Sequence, residues 1–192
     1  MHDVHHSHHA PPNLRQRLEL SLKLRINDCY QCGKCAAGCP LVEEMDFTPN
    51  QILRMLQLEL PQLEERILGS MGIWLCLACE QCYSRCPKDV NIPEIMDYLR
   101  AESIRLGKVN PAAKDIVAFH KSFLAALRKS GRMHEVSLFV QYKTRTMHLF
   151  QDVGSAPKLF WDGKLKLMPD KIKGRDAVRR IFDKVESLKG DN

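Results

Sequence analysis

Cys29-Tyr30-Gln31-Cys32-Gly33-Lys34-Cys35-Ala36-Ala37-Gly38-Cys39-Pro40 and, further along, Cys76-Leu77-Ala78-Cys79-Glu80-Gln81-Cys82-Tyr83-Ser84-Arg85-Cys86-Pro87 are two copies of one pattern. Each reads C-x2-C-x2-C-x3-C-P, and together they use all eight cysteines of the chain. Cysteines that merely fill a core would not repeat in register, so the pattern points to chemistry on the thiols.

The spacing selects that chemistry. Three cysteines at two-residue intervals place three thiolates on one loop, as a cubane [4Fe–4S] cluster needs. The fourth, before a proline, ligates the other cluster in two-cluster proteins of this pattern. Cluster one is therefore expected on Cys29, Cys32, Cys35 and Cys86, and cluster two on Cys76, Cys79, Cys82 and Cys39. Proline removes a backbone donor and fixes the turn that leads the chain away. Structural zinc also uses C-x2-C pairs, but a third cysteine at the same interval is surplus to a four-ligand site. Disulfides are the other even-number reading, and a chain of this size has no need of them.

Crossed ligands require the two loops to lie side by side, so residues 41–75 must leave and return. Thr48 as N-cap, Pro49 at the first helical position and Gln51 completing a capping box predict a helix there. Ile52, Leu53, Leu56 and Leu60 give it an apolar face up to Pro61. A short helix follows over 62–68, with Gly69 at its C-terminal end. Asn91 and Glu94 frame another over Ile92–Leu106, with Ile95, Met96, Leu99 and Ile104 apolar and Gly107 closing it. Leu14, Leu18, Leu22 and Ile26 form an i, i+4 ridge, although Leu20, Leu22, Leu24 and Ile26 also alternate like a strand; helix is the preferred reading. The expected fold class is all-α.

Composition agrees with a folded, soluble chain. The 192 residues are 44% hydrophobic and 27% charged, an ordinary globular balance. No apolar run reaches the ~18–20 residues of a membrane span, and the start is a His-rich polar tract rather than a signal peptide. A cytoplasmic setting is expected. The net charge of +6 is uneven: residues 1–90 hold 9 Lys/Arg against 11 Asp/Glu, and residues 91–192 hold 20 against 12. A basic half suits an anionic partner or a solvated surface, but no recognition module or aromatic ladder supports nucleic acid.

With these residues in view, the chain resembles a known group. Tandem C-x2-C-x2-C-x3-C-P loops separated by helices look like the α-helical ferredoxin domain, which also occurs in the iron–sulfur subunits of succinate dehydrogenases and fumarate reductases. Those proteins carry a further [2Fe–2S] domain, for which no cysteine precedes Cys29. The closer likeness, from about Asp28 onward, is to the small two-cluster, C-type subunit of heterodisulfide reductase. It is carried by both cysteine loops with Ile73-Trp74-Leu75-Cys76, by Phe119-His120-Lys121-Ser122-Phe123 and Gly131-Arg132-Met133-His134-Glu135, and by Gly163-Lys164-Leu165 and Pro169 to Lys173.

The resemblance implies an electron relay in methanogenesis. A flavin-bearing, iron–sulfur A-type subunit would deliver electrons, and this chain would pass them through two [4Fe–4S] clusters to a catalytic B-type subunit. That catalytic partner reduces the coenzyme M–coenzyme B heterodisulfide. Catalysis belongs to it, so no catalytic residue is expected here, and the assembly implied is a hetero-oligomer with room for a dimer of complexes. Two alternatives stand: the equivalent iron–sulfur protein of a related complex acting on another disulfide, quinone or sulfur compound, and a zinc-stabilised interaction module.

The expected organisation is a disordered His-rich tail over 1–13, the cluster domain over 14–107, and a basic, mostly helical extension over 108–192 that docks partners. In the extension, Asn110-Pro111 opens a helix with Ile116, Val117, His120, Phe123, Leu124 and Leu127 on its apolar face. Residues 176–189 repeat the idea with Val178, Ile181, Phe182, Val185 and Leu188. Residues 133–172 read as helix in part, with a turn at Asp162-Gly163. His2, His5, His6, His8 and His9 form a tract that can bind metal, while His120, His134 and His148 read as ordinary surface or core histidines. Within the loops, Gly33 and Gly38 permit close backbone approach to the cluster sulfurs, Lys34 is expected to raise the potential of cluster one, and Ile73, Trp74, Leu75 and Leu77 form an apolar wall beside loop two.

Overall fold

A computed structural model describes residues 11–147 and 172–190. They form helices and turns, with no strand among them. The histidine tract, His148 and the expected turn at Asp162-Gly163 lie outside the described residues. Contacts divide the chain into two units, Met1–Ala113 and Lys114–Asn192.

The first unit begins with helix α1 (Leu14–Leu22), whose Asn13 accepts from the Gln16 N–H while the Gln16 side chain accepts from the Asn13 N–H. That reciprocal cap settles the helix-or-strand ambiguity at the start of the ridge. Leu14 and Leu18 are buried, Leu20 is exposed, and Ile26 is buried from a 3-10 turn, Ile26–Asp28, instead of from the helix. Next come α2 (Lys34–Ala37) and, after Cys39, α3 (Pro49–Leu58), α4 (Pro61–Leu68), α5 (Gly72–Leu75), α6 (Gln81–Ser84) and α7 (Ile92–Arg105). α3 starts with the expected Thr48 and Gln51 capping box and buries Ile52, Leu53 and Leu56. Leu60 is not part of it. The residue before a proline is driven out of the helical region, so the chain leaves α3 at Glu59 and Leu60 becomes the extended N-cap of α4, exposed to solvent.

α7 is the central element, touching α1, α4, α5 and α6. Ile92, Ile95, Met96 and Leu99 face inward as expected, but Ile104 is exposed. The buried places in its last turns go to Ser103, whose Oγ donates to the Leu68 carbonyl at 2.8 Å, and to Glu102. Glu102 is only 7% exposed and takes Arg17 of α1 at 3.0 Å and Arg105 at 2.7 Å. A buried carboxylate demands such partners. Beyond α7, Lys108 pairs with Glu65 and the Asn110 amide donates to the Gly69 carbonyl, so residues 108–113 stay on this unit.

In the second unit, α8 (Lys114–Ser130) packs on α9 (Glu135–Thr146) and on α10 (Arg175–Gly190). Its buried residues are Ser122, Ala126 and Ser130, one every four positions. The larger apolar side chains expected there flank this stripe, with Leu124 and His120 exposed. Small residues let the helix backbones come close, and the Ser122 and Ser130 hydroxyls satisfy themselves on the carbonyls of Ala118 and Ala126. Phe119 meets Tyr142 of α9 edge-on, and Arg128 bridges to Asp183 and Glu186 of α10. On α10, Ile181 and Val185 are exposed. His134 is a buried N-cap of α9, accepting from the Ser137 N–H. No helix among the described residues is long and apolar enough to cross a membrane.

The Glu102 centre gives a pH signature. Hydrogen bonding from Arg105 first, then from Arg17, holds its carboxyl below the usual range. Near neutrality Glu102→Gln is expected to lose about 1–3 kcal/mol of stability. A depressed carboxyl contributes above its unfolded value of ~4.3, and that contribution disappears as pH falls through the folded value. The stability gap between wild type and variant should therefore close below about pH 4. Thermal unfolding by circular dichroism across roughly pH 3–7 measures it; a gap independent of pH would discard the ion-pair explanation.

Candidate metal centres

The two cysteine loops share one backbone. In loop one Gln31 and Gly33 have φ of 63° and 77°; in loop two the equivalent Ala78 and Glu80 have φ of 50° and 61°. Left-handed residues at both offsets turn the chain twice within five residues. α2 and α6 then start at once, with Gly33 and Glu80 as their N-caps, and carry Cys35 and Cys82. The Ala37 N–H bonds the Gly33 carbonyl as the Ser84 N–H bonds that of Glu80, and Cys39 and Cys86 repeat the match onto Ala36 and Tyr83. The fourth cysteine of each motif thus leaves its helix in the same direction. α2 and α6 pack on each other, which brings the two loops together.

Each loop is also anchored by a polar residue on a neighbouring helix. Gln57 of α3 donates to the carbonyls of Cys29 at 2.7 Å and Ile26 at 3.2 Å. Arg100 of α7 donates to the carbonyl of Cys76 at 3.2 Å. Asp46 of the connecting segment accepts from the N–H groups of Met71 and Gly72 at 2.8 and 2.7 Å, capping α5 just ahead of loop two. Gly72 is required there, because a Cβ would stand 2.5 Å from the Phe47 carbonyl oxygen. None of these anchors was apparent from the cysteine pattern. The available signal was a polar side chain next to an apolar stripe, as with Gln57 beside Leu53 and Leu56.

Cys39 lies with Cys76, Cys79 and Cys82 around one pocket, closed by Pro40, Met45, Pro49, Leu75, Ile92, Pro93 and Met96. Around loop one, the Tyr30 phenol is pushed up by desolvation and then by the thiols of Cys32, Cys86 and Cys29. Cys35 is buried, and Cys32 and Cys79, at equivalent positions, are the two exposed thiols. Burial pushes the Cys35 and Cys76 thiols up, and burial followed by the charge of Cys76 pushes Cys82 up to about 11. Burial thus favours the protonated thiols, and a metal held there would take them as thiolates. The Cys86 sulfur accepts from the Val90 N–H and the Cys29 sulfur from the Gln31 amide, both at 3.4 Å.

The donor set fits polynuclear iron. Cys39, Cys76, Cys79 and Cys82 bring four thiols to the second-loop pocket. One tetrahedral zinc draws its sulfurs to ~2.3 Å, whereas a cubane presents a separate iron to each of four thiolates. Ile73 and Trp74 are buried beside loop two, with the indole N–H lacking a partner among the described residues, but Leu77 departs from the expected apolar wall and is 64% exposed. Lys34 is exposed at the head of α2.

Residues 25–90 match the model of the 4Fe-4S dicluster domain. The curated relatives are C-type subunits of heterodisulfide reductases. One, the second C-type iron–sulfur subunit of the CoB–CoM heterodisulfide reductase of Methanocaldococcus jannaschii, is 32% identical over 58% of each chain. The C-type subunit of the H2:CoB–CoM heterodisulfide,ferredoxin reductase of Methanothermobacter thermautotrophicus is 31% identical over 47% of this chain and 48% of its own. The C2-type subunit of the H2/formate:CoB–CoM heterodisulfide,ferredoxin reductase of Methanococcus maripaludis is 28% identical over 64% and 69%. The chain is a relative of these heterodisulfide reductase iron–sulfur proteins.

It carries two [4Fe–4S] clusters, as the dicluster domain and its eight cysteines specify. The chain matches about half of the length of the first two of these relatives. The relatives' names place each in a multi-subunit reductase.

The shared backbone makes one prediction. Gly33→Ala forces a Cβ into the left-handed region and should lower stability by about 1–2 kcal/mol, with little steric conflict because nothing lies within 4 Å of that Cβ. Glu80→Gly at the equivalent place relieves the same strain. Opposite shifts of the unfolding midpoint are expected for the two variants; equal signs would contradict the equivalence of the loops.

Proposed function

We propose that this chain relays electrons, with cluster one on Cys29, Cys32, Cys35 and Cys86 and cluster two on Cys76, Cys79, Cys82 and Cys39. The observation that carries the reading is Cys39 at the second-loop pocket, beside Cys76, Cys79 and Cys82. When bound, each cluster supplies a one-electron carrier. The chain's own residues hold the two carriers side by side: α2 against α6 fixes the loops, Gln57 and Arg100 fix their first cysteines, and Ile73 and Trp74 keep one flank of loop two dry. In this reading the chain hands its electrons to a catalytic partner, to which the chemistry belongs.

The partners of this proposal are a flavin-bearing A-type subunit and a catalytic B-type subunit in a cytoplasmic heterodisulfide reductase complex. The relatives' names agree on the CoB–CoM heterodisulfide and differ over hydrogen, formate and ferredoxin. The heterodisulfide is accordingly the substrate assigned to the complex. The second unit supports the docking role. Leu124, Ile181, Phe182 and Val185 line an open groove of ≈480 Å³ together with Lys121, Arg128, Arg145 and Glu186, an apolar surface of net positive charge suited to an acidic amphipathic segment.

Two experiments test this. Dithionite-reduced protein should give near two spins per chain by EPR. Cys39→Ala should perturb the signal of the cluster on Cys76, Cys79 and Cys82, and Cys86→Ala that of the other. Each variant perturbing its own loop's cluster would replace the crossed assignment with an uncrossed one. Deleting residues 174–192 should weaken assembly with the partner proteins while leaving the spin count intact, and assembly unchanged would remove the docking role of α10.

A further inference from the structure

Gly38 and Arg85 occupy the same place in the two motifs, each immediately before the fourth cysteine. Gly38 has φ of −104° and ψ of 1°, a backbone any residue adopts, so conformation does not explain the glycine. The space above it does. A Cβ on Gly38 would lie 2.7 Å from Arg85 Nη1, 2.8 Å from Cδ and 2.9 Å from Cζ. The Arg85 side chain lies directly on the Gly38 backbone, across the seam where α2 meets α6. One motif has lost its side chain where the other has placed a long cation.

That cation has no carboxylate partner among the described residues. It is one peptide bond from Cys86 along the chain and, through Gly38, rests against the residue preceding Cys39. Building on the crossed ligand sets proposed above, Arg85 adjoins a ligand of one cluster along the chain, and its guanidinium rests on the residue next to a ligand of the other. Reduction of either cluster adds one negative charge, and a fixed positive charge nearby favours the reduced form.

We propose that Arg85 is a shared electrostatic positioning residue, whose guanidinium, held on Gly38, raises the reduction potentials of both clusters together. Gly38 is the socket that keeps the charge at the seam. Because Arg85 is exposed to solvent, its influence is partly screened and depends on salt.

The test is a potentiometric titration of the loaded protein, followed by EPR with dithionite as the one-electron donor, at low and high ionic strength. Arg85→Gln should lower both midpoint potentials, most at low salt, and the wild-type potentials should depend on salt more strongly than those of the variant. Arg85→Lys should retain most of the wild-type values. Gly38→Ala keeps the charge but displaces it, and should shift both midpoints in the same direction as Arg85→Gln, by less. Lys34→Gln, removing an exposed cation of the other loop, is the control and should move neither cluster as far. Unchanged potentials in Arg85→Gln at low salt, with two spins retained and only the unfolding midpoint lowered, would overturn the inference and make Arg85 a steric clasp. An equal shift in Lys34→Gln would overturn it in favour of general surface charge. A spin count far from two in wild type would instead defeat the two-cluster reading on which it rests. Should Arg85→Gln fail to hold clusters, Gly38→Ala and the wild-type salt dependence decide the matter.

Discussion

The positive-φ pairs Gln31/Gly33 and Ala78/Glu80 are the constraint on which the rest of the first unit depends. Each motif turns left-handed twice between its first three cysteines, and L-residues resist that conformation. Three of the four positions are not glycine. The strain is sustained by what surrounds it: α2 and α6 begin at once, the first cysteines of both loops are held by Gln57 and Arg100, and α5 is capped by Asp46. The helical frame around the loops over-determines two short strained segments, and its hydrophobic core of Leu14, Leu18, Ile52, Leu53, Ile73, Ile95 and Leu99 supplies the rigidity.

Much of this was legible in the sequence, because it rests on local rules. The Thr48-Pro49-Gln51 start, the end at Gly69 and the Asn91–Glu94 cap each involve residues three or four apart, and each forms as read. What was not legible depends mostly on partners distant in the chain. Leu60 looked like a fourth member of an apolar stripe, but Pro61 acts on it locally and removes it from the helix. Ile104 looked inward-facing, yet the interior was claimed by Glu102, whose burial depends on Arg17 from another helix. Gly38 reads as permitting close backbone approach to the cluster sulfurs, and what fills the space above it is an arginine of the other motif.

The second unit shows the same limit more sharply. Hydrophobic periodicity predicts that α8 buries its largest apolar residues, but it buries Ser122, Ala126 and Ser130. Periodicity reports how many apolar groups share a face, not how closely a neighbouring backbone approaches. Where helices pack tightly, small residues occupy the contact and the bulky ones are displaced to its edges. Leu124, Ile181 and Val185 are left exposed by that geometry, with basic residues around them.

The position of Cys39 has a consequence for how the protein is made. Synthesis produces the first motif well before the second, and Cys39 emerges long before the three thiols it faces across the pocket. Until Cys76, Cys79 and Cys82 have followed, neither motif has a full complement of neighbours, and an emerging chain displays incomplete thiol sets that any soft metal can seize. With the crossed ligand sets proposed above, cluster insertion would be tied to a nearly finished domain, and the two centres would be acquired as a linked pair after both halves are translated.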